Sequence, residues 1–252
     1  MDVLVIGLGS MGKRRIRLLR RFHQIEHIIG VDAKEDRREE AENNYFCKTY
    51  CNIEDAIAEN QKLECAFVCT PPLSHSKIIT QMLESGLHVF SEINLVADGY
   101  KHNVFLARQI NRVLFLSSTF FYRKEILYIQ ERIKEKSKLN YTYHIGQYLP
   151  DWHPWESYED FFVGHMRTNG CREIMAIELP WIIKTFGAIK NYHVIADNIS
   201  NLNISYKDNY FIQLEHEFGN KGALVIDIVS PKAVRNLEIY GENVYFSWDG
   251  TP

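Results

Sequence analysis

Three glycines near the N-terminus have the spacing of a turn that binds a dinucleotide. They lie in Gly7-Leu8-Gly9-Ser10-Met11-Gly12, which directly follows an apolar run at residues 3–6 and opens a helical pattern at residues 11–22. The first glycine permits a tight turn, the second lets the backbone approach a pyrophosphate, and the third lets helix and strand pack closely. Because the free N–H groups at a helix start attract phosphate, this segment predicts a dinucleotide site. Its predicted contacts are Gly7, Gly9, Ser10, Met11 and Gly12.

An acidic residue follows the second apolar run, at the offset where such folds bind a ribose. Asp32 comes directly after residues 28–31, and an acid in this place hydrogen-bonds the ribose 2′-hydroxyl. The same carboxylate repels a 2′-phosphate, so the sequence favours NAD over NADP. Arg37 and Arg38 follow shortly afterwards and would soften this preference.

Two later strand ends supply residues for the nicotinamide half of the site, since the nicotinamide lies across the carboxyl ends of the later strands in such folds. The first end carries Thr70, Pro71, Pro72 and His75, and the second carries Glu92. We expect the Thr-Pro-Pro run to form a stiff wall beside the cofactor, with His75 either a ligand contact or a structural residue. Glu92 raises a question, because a buried strand ends here on a carboxylate with no basic neighbour in sequence.

The elements that position these residues alternate along the first half of the chain. Five apolar runs occupy residues 3–6, 28–31, 65–69, 87–90 and 113–116, and helical patterns lie at 11–22, 35–43, 73–84 and 100–111. Continuously apolar strands are typical of a sheet that is buried on both faces. The alternation predicts an α/β fold in which residues 1–118 form a Rossmann domain with a doubly wound parallel sheet.

The second half shows the pattern of a separate α+β domain. Helices are predicted at residues 121–136 and 172–185, and strands at 141–148 and from 192 onward. Apolar and polar positions alternate in residues 210–218, and a hairpin turn is indicated at 219–222. We therefore expect residues 119–252 to form a mostly antiparallel, open-faced sheet. Such a sheet either joins copies of the chain into a homodimer or homotetramer or is capped by its own helices.

The composition of the chain argues against several other functions. The 252 residues carry a net charge of −3 with no basic surplus, which argues against a nucleic-acid partner. No apolar run is long enough to span a bilayer and no signal peptide is present, so we expect a soluble, cytoplasmic protein. The five cysteines do not have zinc-site spacing and no histidine pair accompanies them, so no metal site is predicted.

Several of these motifs together resemble the glucose-fructose oxidoreductase, inositol dehydrogenase and MocA (Gfo/Idh/MocA) family. The resemblance rests on residues 5–13, on Thr70-Pro71-Pro72 with His75, and on the stretch ESGLHVFSE at residues 84–92. It is close over the first half and loose over the second. It implies a dinucleotide-binding domain followed by an α/β domain with a large open-faced sheet, and NAD(P)-dependent chemistry at a ring hydroxyl of a sugar, cyclitol or nucleotide sugar. Members usually continue beyond the position of Pro252, so we expect a shortened second domain.

The proton-transfer residues that this resemblance implies are replaced in the chain. The family places a lysine and then a proline after the residue equivalent to Glu92, where this sequence has Ile93 and Asn94. It also places an aspartate and a histidine on the second long helix of the later domain, where Ile174 and either Ile177 or Glu178 stand. Hydride transfer from a hydroxyl still needs a base, and isoleucine cannot replace lysine in that role.

One hypothesis keeps the chain an active enzyme that draws its polar groups from the second domain. Residues 147–156 are rich in aromatic and polar groups and resemble family members from surface-polysaccharide pathways, which indicates a nucleotide-linked or acidic sugar as substrate. The predicted proton-transfer residues are Glu178, His153 and Tyr158. The predicted substrate contacts are Asp151, Trp152, Arg167 and Arg172, of which the arginines suit a carboxylate or a diphosphate.

Two alternatives compete with this hypothesis. In the first, the chain binds NAD(H) without hydride transfer and serves as a regulatory module or as a subunit of a complex. In the second, the individual features are structural. The two tryptophans at positions 152 and 155 then pack their loop against a domain interface, and Arg172-Glu173 forms a local helix-surface or interdomain ion pair.

Overall fold

The computed structural model describes residues 1–134 and 138–251, which form two compact units. Unit 1 comprises Met1–Ser117 and unit 2 comprises Ser118–Pro252. Each unit has its own sheet and its own clusters of buried apolar side chains.

Unit 1 is a parallel six-stranded sheet with helices on its connections. Its strands are β1 (Asp2–Ile6), β2 (His27–Val31), β3 (Lys48–Tyr50), β4 (Leu63–Val68), β5 (His88–Ser91) and β6 (Leu114–Leu116). Its helices are α1 (Ser10–Leu19), α2 (Glu35–Tyr45), α3 (Ile53–Glu59), α4 (His75–Glu84) and α5 (Tyr100–Gln109). The strand order β3-β2-β1-β4-β5-β6 runs outward from β1 in both directions, as in a doubly wound fold. The predicted Rossmann architecture is confirmed.

The central strand of unit 1 is buried on both faces. Val3 and Val5 of β1 pack on one side with Ile16 of α1, whereas Leu4 and Ile6 pack in a second cluster on the other side. Burying one such side chain stabilises a fold by about 1.5–3 kcal/mol. The strand must be apolar throughout because both of its faces are packed against other side chains, which is why the sequence predicts this strand well.

One strand and one helix of unit 1 were not expected from the sequence. The strand β3 has only three residues and no apolar run, and it forms by pairing with β2 at the sheet edge. The helix α3 begins after Asn52, whose side chain accepts a hydrogen bond from the backbone N–H of Asp55 at 2.8 Å. In sequence, both elements lie between Asp32, in the ribose half of the predicted cofactor site, and Thr70, in its nicotinamide half.

Unit 2 is a six-stranded mixed sheet with two α-helices. Its helices are α6 (Lys124–Ile133) and α7 (Gly170–Phe186). Its strands are β7 (Asn140–Gly146), β8 (Ile189–Asp197), β9 (Asn209–His216), β10 (Lys221–Asp227), β11 (Val234–Gly241) and β12 (Val244–Trp248). The order is β12-β11-β7-β10-β9-β8, and the central pair β7–β10 is parallel while the other neighbouring pairs are antiparallel. The predicted α+β sheet domain is confirmed with this one parallel pair.

The first helix of unit 2 starts later than predicted. Residues 119–122 form a single 3₁₀ turn, and Arg123 is extended, so α6 begins at Lys124. The end of the predicted helix, at residues 135–136, lies outside the described residues.

The two faces of the unit 2 sheet differ in burial. In β9, Ile212 and Leu214 belong to the core with α6 and α7, whereas Phe211 and Gln213 on the opposite face are exposed. The predicted alternation is confirmed here, except that Phe218 is exposed because it lies in the turn after the strand. In neither described stretch of the chain is there a helix long and apolar enough to span a membrane.

Candidate functional site

The glycine turn of unit 1 has the geometry that pyrophosphate binding needs. Gly7 has a φ of +90°, and its N–H donates to the carbonyl of Val31 at 2.8 Å. A Cβ on Gly7 would lie 2.8 Å from the Cys69 backbone, and a Cβ on Gly12 would overlap the Gly7 carbonyl oxygen. Helix α1 starts behind Gly9, and no side chain of the described residues caps it. Its first N–H groups are therefore available to an anionic ligand.

Asp32 ties the glycine turn to the end of β2. Its Oδ2 accepts the Leu8 N–H at 2.8 Å, its Oδ1 accepts the Lys34 N–H at 2.9 Å, and the side chain is only 8% exposed. The guanidinium of Arg37 lies 3.5 Å from Oδ2 and also 3.5 Å from the place where a Cβ on Gly9 would stand. The edge predicted to bind the ribose therefore combines one carboxylate with one guanidinium.

His75 is a structural residue that follows the end of β4. Its ring is 2% exposed, its Nε2 lies 2.7 Å from the carbonyl oxygen of Thr70, and its Nδ1 lies 2.7 Å from Oδ1 of Asn94. Both ring nitrogens are thus engaged, so the structural alternative describes His75 better than the predicted ligand contact. The histidine fixes the Thr70-Pro71-Pro72 turn to the residues after β5. Asn94, which stands at the family's proline position, takes part in this link.

Glu92 forms an ion pair with Arg15 of α1. The Nε and Nη2 atoms of Arg15 donate to the two carboxylate oxygens at 2.5 and 3.0 Å, a two-point geometry that strengthens the pair. The guanidinium also lies 4.7 Å from the centre of the Phe90 ring. Glu92 therefore does have a basic neighbour in the folded chain, and this residue lies 77 positions earlier in the sequence. A signal for this exists in the sequence, because Arg15 shares helical spacing with the buried residues Gly12, Ile16 and Leu19.

Glu178 of α7 is fully enclosed in unit 2 by hydrogen-bond donors. Tyr143 Oη and Trp181 Nε1 donate to its Oε2 at 2.8 and 2.7 Å, and Arg235 donates to its Oε1 through Nη2 at 2.9 Å and Nε at 3.1 Å. Burial, followed by the negative charge of Glu178, raises the pKa of Tyr143 well above its usual range. The sequence expectation that Glu178 enters the site is corrected: its position on the apolar side of α7 buries the carboxylate within the core, where each of its oxygens already has a partner.

The aromatic segment of unit 2 is partly packed and partly exposed. Trp152 donates from Nε1 to the Gln147 carbonyl at 3.2 Å, and its ring borders Gly170 at the start of α7. His153 stacks on Trp155 and Phe161 with ring centres 4.9 and 4.5 Å apart. Trp155 is 71% exposed, so only one of the two tryptophans packs into the unit. The predicted packing by both tryptophans is wrong for Trp155, and packing of the loop against a domain interface stays a prediction.

The other predicted residues of unit 2 surround the start of α7 in sequence. The hydroxyl of Tyr158 accepts the Asn203 N–H at 3.1 Å, and Asp151 is exposed at the end of a short 3₁₀ turn. Arg167 and Arg172 are exposed on either side of the residue that caps α7. His153 likewise has a partner, since its Nδ1 lies 2.7 Å from Oε1 of Glu156.

Glu173 is a polar residue of α7 that the sequence did not single out as a site. Its side chain is partly buried, and within the described residues it has no hydrogen bond and no ion pair. The local pair with Arg172 that the sequence left open is therefore not formed. Burial raises the pKa of Glu173 to about 7, because a carboxylate without partners is poorly solvated there.

Comparison with known proteins supports the assignment of unit 1. Residues 1–115 match the Gfo/Idh/MocA oxidoreductase family with its NAD-binding Rossmann fold. Biliverdin reductase A from Homo sapiens is 27% identical over 139 residues, which cover 54% of this chain and 46% of that protein. The Mus musculus protein of the same name is 32% identical over 90 residues, covering 36% of this chain and 29% of that one. The matched regions span less than half the length of these relatives.

Solved structures share the fold of both units. The WlbA dehydrogenase from Bordetella pertussis in complex with NADH and UDP-GlcNAcA has a TM-score of 0.84 at 14% identity, covering 96% of this chain and 75% of that one. Myo-inositol 2-dehydrogenase from Lactobacillus plantarum has a TM-score of 0.81 at 16% identity, covering 100% of this chain and 77% of that one. Biliverdin reductase from Synechocystis has a TM-score of 0.80 at 16% identity, covering 99% of this chain and 79% of that one. The glycine turn and the sheet order agree with the match of residues 1–115 to the model of the Gfo/Idh/MocA oxidoreductase family, and over the rest of the chain the likeness is one of fold.

Proposed function

We propose that the protein is an NAD(P)-dependent oxidoreductase that acts on a hydroxyl or keto group of a sugar or nucleotide sugar. The observation that carries the proposal is the uncapped start of α1 behind the glycine turn, with Asp32 bonded to that turn. This arrangement suits a dinucleotide, because the glycines let α1 start close to neighbouring backbone and leave its first N–H groups to an anionic ligand. The dehydrogenase structures that share the fold of unit 2 support the substrate class.

The cofactor contacts follow from the geometry of unit 1. The pyrophosphate binds the N–H groups at the start of α1, and the ribose binds Asp32. NAD is the preferred cofactor because the Asp32 carboxylate repels a 2′-phosphate, and Arg37 beside it makes NADP a weaker second ligand. The residues proposed to line the cofactor are Gly7, Gly9, Ser10, Met11, Gly12, Asp32, Thr70, Pro71, Pro72 and Glu92. His75 supports this set from behind through Thr70.

The substrate contacts are proposed in unit 2, before and at the start of α7. The ring of Trp152 offers an apolar face of the kind that packs against sugar rings. Arg167 and Arg172 suit the diphosphate or the acidic group of a nucleotide sugar, and the exposed carboxylate of Asp151 suits hydroxyls. Among the predicted proton-transfer residues, His153 and Tyr158 remain candidates. Synthesis of a surface polysaccharide in the cytoplasm is the setting that this substrate class indicates.

Turnover of bound NADH tests the proposal. Purified protein with stoichiometric NADH is mixed in turn with keto sugars, with keto forms of nucleotide sugars and with acidic sugars, and absorbance at the nicotinamide band is followed. Loss of the band with a nucleotide sugar, but not with its free sugar, supports the proposed class. Stable NADH binding without oxidation by any member of the panel favours the alternative of an NAD(H)-binding regulatory subunit, which Ile93 at the family's lysine position already supports.

A second candidate function is reduction of a linear tetrapyrrole. The observation in its favour is the sequence likeness to biliverdin reductase A, which exceeds the identity to the sugar dehydrogenase structures. Biliverdin added to the same NADH and NADPH assay distinguishes the two functions. Oxidation of either cofactor by biliverdin alone would contradict the sugar assignment.

Self-association is proposed through the open face of the unit 2 sheet. Ile195 of β8 and Phe211 of β9 are paired across the strands and are exposed on that face. Neighbouring exposed apolar residues of this kind mark association surfaces in folded proteins. A homodimer or homotetramer formed by this face is the proposed assembly.

A further inference from the structure

The ion pair of Arg15 and Glu92 lies where three neighbouring strands of the unit 1 sheet end. The N–H of Glu92, directly after β5, donates to the carbonyl of Val68 at the end of β4 at 2.9 Å. The Nη2 atom of Arg15 lies 3.5 Å from Oγ of Ser117, directly after the end of β6. In a doubly wound sheet the nicotinamide lies across these carboxyl ends. The pair is therefore placed at the nicotinamide end of the proposed cofactor site.

Both charges of the pair act on one point of this edge, at Cys69. The thiol of Cys69 lies 4.0 Å from Oε1 of Glu92, and its backbone lies directly against Gly7 of the glycine turn. Burial raises the pKa of Cys69, the negative charge of Glu92 raises it further, and the positive charge of Arg15 lowers it. A ligand beside the glycine turn at this point is thus within range of both charges, which act on it in opposite directions.

The pair is shielded from water and neutral as a whole. The side chains of Arg15 and Glu92 are mostly buried, and among the ion pairs of residues 1–134 and 138–251 each of them pairs with the other. Salt screens shielded charges much less than exposed ones. Either charge alone would therefore act strongly on a charged ligand nearby, whereas the two together largely cancel.

The nicotinamide ring is such a ligand in one of its two states. The ring carries a positive charge when it is oxidised and none when it is reduced, so a protein charge near it changes the affinity for the oxidised state. A carboxylate favours the oxidised cofactor, and a guanidinium disfavours it. With Ile93 where the family has lysine, the cation that balances Glu92 comes from α1.

We infer that Arg15 sets the relative affinity of the site for oxidised and reduced cofactor by cancelling the charge of Glu92. The inference rests on the proposed function, because it requires that NAD(H) binds at the carboxyl edge of unit 1. It applies equally to an active enzyme and to an NAD(H)-binding regulatory subunit. A guanidinium does not lose its proton in proteins, so Arg15 supplies charge at this edge without offering a proton to a reaction.

Two single variants of the full-length protein should change this preference in opposite directions. Arg15→Met leaves the carboxylate unbalanced, and Glu92→Gln leaves the guanidinium unbalanced. The ratio of the NADH Kd to the NAD⁺ Kd should rise about tenfold in Arg15→Met and fall about tenfold in Glu92→Gln, the effect of one unit charge within about 12 Å. A tenfold change in this ratio equals a shift of about 30 mV in the midpoint potential of the bound two-electron couple.

Two further variants separate the charge effect from a loss of structure. Arg15→Met/Glu92→Leu has no charge at either position and should keep the original ratio. Lys13→Met is the matched control, because Lys13 lies on the same helix and forms its own ion pair with Glu40 at 2.8 Å. It should also keep the original ratio. ADP, which lacks the nicotinamide, should bind the Arg15 and Glu92 variants with the Kd of the original protein.

Isothermal titration calorimetry with NAD⁺, NADH and ADP gives these constants. A ratio that moves in the same direction in both single variants, or that changes by less than about twofold while ADP still binds, would overturn the inference. If the single variants do not fold, Ile93→Lys is added to Arg15→Met/Glu92→Leu and places one unpaired cation at the same edge. The ratio should then fall about tenfold, and an unchanged ratio would again contradict the inference.

The same titrations distinguish failure of the inference from failure of the proposed function. If the original protein binds neither NAD⁺ nor NADH, the proposed function fails and the inference fails with it. If the protein binds both cofactors and the ratio does not respond to the charges at positions 15 and 92, the inference alone fails.

Discussion

The paired charges of Arg15 and Glu92 show how a single residue can be understood only with its partner. Both side chains are mostly buried, with 17% and 13% exposed, and two hydrogen bonds connect them. Removing one partner leaves a shielded charge without compensation, which costs more than the pair itself contributes. The sequence displays Glu92 at a strand end, and the helical spacing of Arg15 with Gly12 and Leu19 marks it as the arginine of α1 on the buried side of that helix.

Replacement of Arg15 by methionine should therefore destabilise the protein by about 3 kcal/mol. Equilibrium unfolding in urea measures this loss. The double variant Arg15→Met/Glu92→Leu should recover most of it, because no unpaired charge remains. A loss under about 1 kcal/mol in the single variant would show that water or a shifted side chain replaces the pair.

Asp32 is expected to set the cofactor preference. Asp32→Ser removes the charge that repels a 2′-phosphate and leaves Arg37 in place, so the ratio of NADPH to NADH affinity should rise by about tenfold, equivalent to about 1.4 kcal/mol. Fluorescence titration with each cofactor gives the two Kd values. Arg37→Met in the Asp32→Ser background should remove the gain. An unchanged ratio would mean that Asp32 serves the glycine turn alone.

The two glutamates of α7 should affect stability in opposite directions. The pKa of Glu173 is about 7 in the native state, against an ordinary value of 4.5. Between pH 4.5 and 7 the native state therefore binds more protons than the unfolded state, so the stability falls as the pH rises through that window. Glu173→Gln should thus be more stable than the original protein by up to about 3 kcal/mol at pH 8, and about equal at pH 4.5. Thermal and urea unfolding at both pH values measure this.

Glu178→Gln should instead lower the stability at pH 8 by about 3–5 kcal/mol, because Arg235 loses its ionic partner. Destabilisation of similar size in both variants would contradict the different environments described for the two side chains.

At the scale of elements, the buried strands were predictable and the short polar ones were not. An interior strand such as β1 must be apolar throughout, so its sequence marks it, whereas β3 depends on backbone pairing with β2 and leaves no apolar signature. The helix α7 carries a similar lesson. Cys171, Ile174, Glu178 and Trp181 have the spacing of one helical face, so the periodicity itself predicts that Glu178 points into the core.

The glycine turn permits a prediction about an element. Gly12→Ala would overlap the Gly7 carbonyl and should force α1 away from β1, with loss of NADH binding and a lower melting temperature. Gly86→Ala is the control, because its φ of +79° is strained for alanine while nothing lies within 4 Å of the new Cβ. The control should cost only about 1–2 kcal/mol and keep NADH binding. Equal NADH affinity in both variants would argue against the assigned turn.

At the scale of the whole molecule, the two units were predictable as separate domains because the periodicity of the apolar residues changes near position 118. The mixed strand direction of the second sheet was harder to predict from the sequence, since the parallel pairing of β7 with β10 joins segments about 80 residues apart. The chemistry was the least accessible part. A missing lysine can be read from one position, whereas the burial of Glu173 depends on packing that no short stretch encodes.

The open face of unit 2 gives a prediction about assembly. Phe211→Glu should shift the protein to a smaller species, because a charge opposite Ile195 disfavours burial of that face. Size-exclusion chromatography with light scattering measures the mass at several concentrations. Phe22→Glu, at an exposed phenylalanine of unit 1, is the control and should leave the mass unchanged. The same mass for all three proteins would place any association elsewhere.

The arginine that comes to Glu92 from α1 also limits how this site can be altered. With one cation already bonded to both carboxylate oxygens, Glu92 needs no basic neighbour at position 93 to balance its charge. The substitution Ile93→Lys would consequently introduce a competitor for an occupied partner.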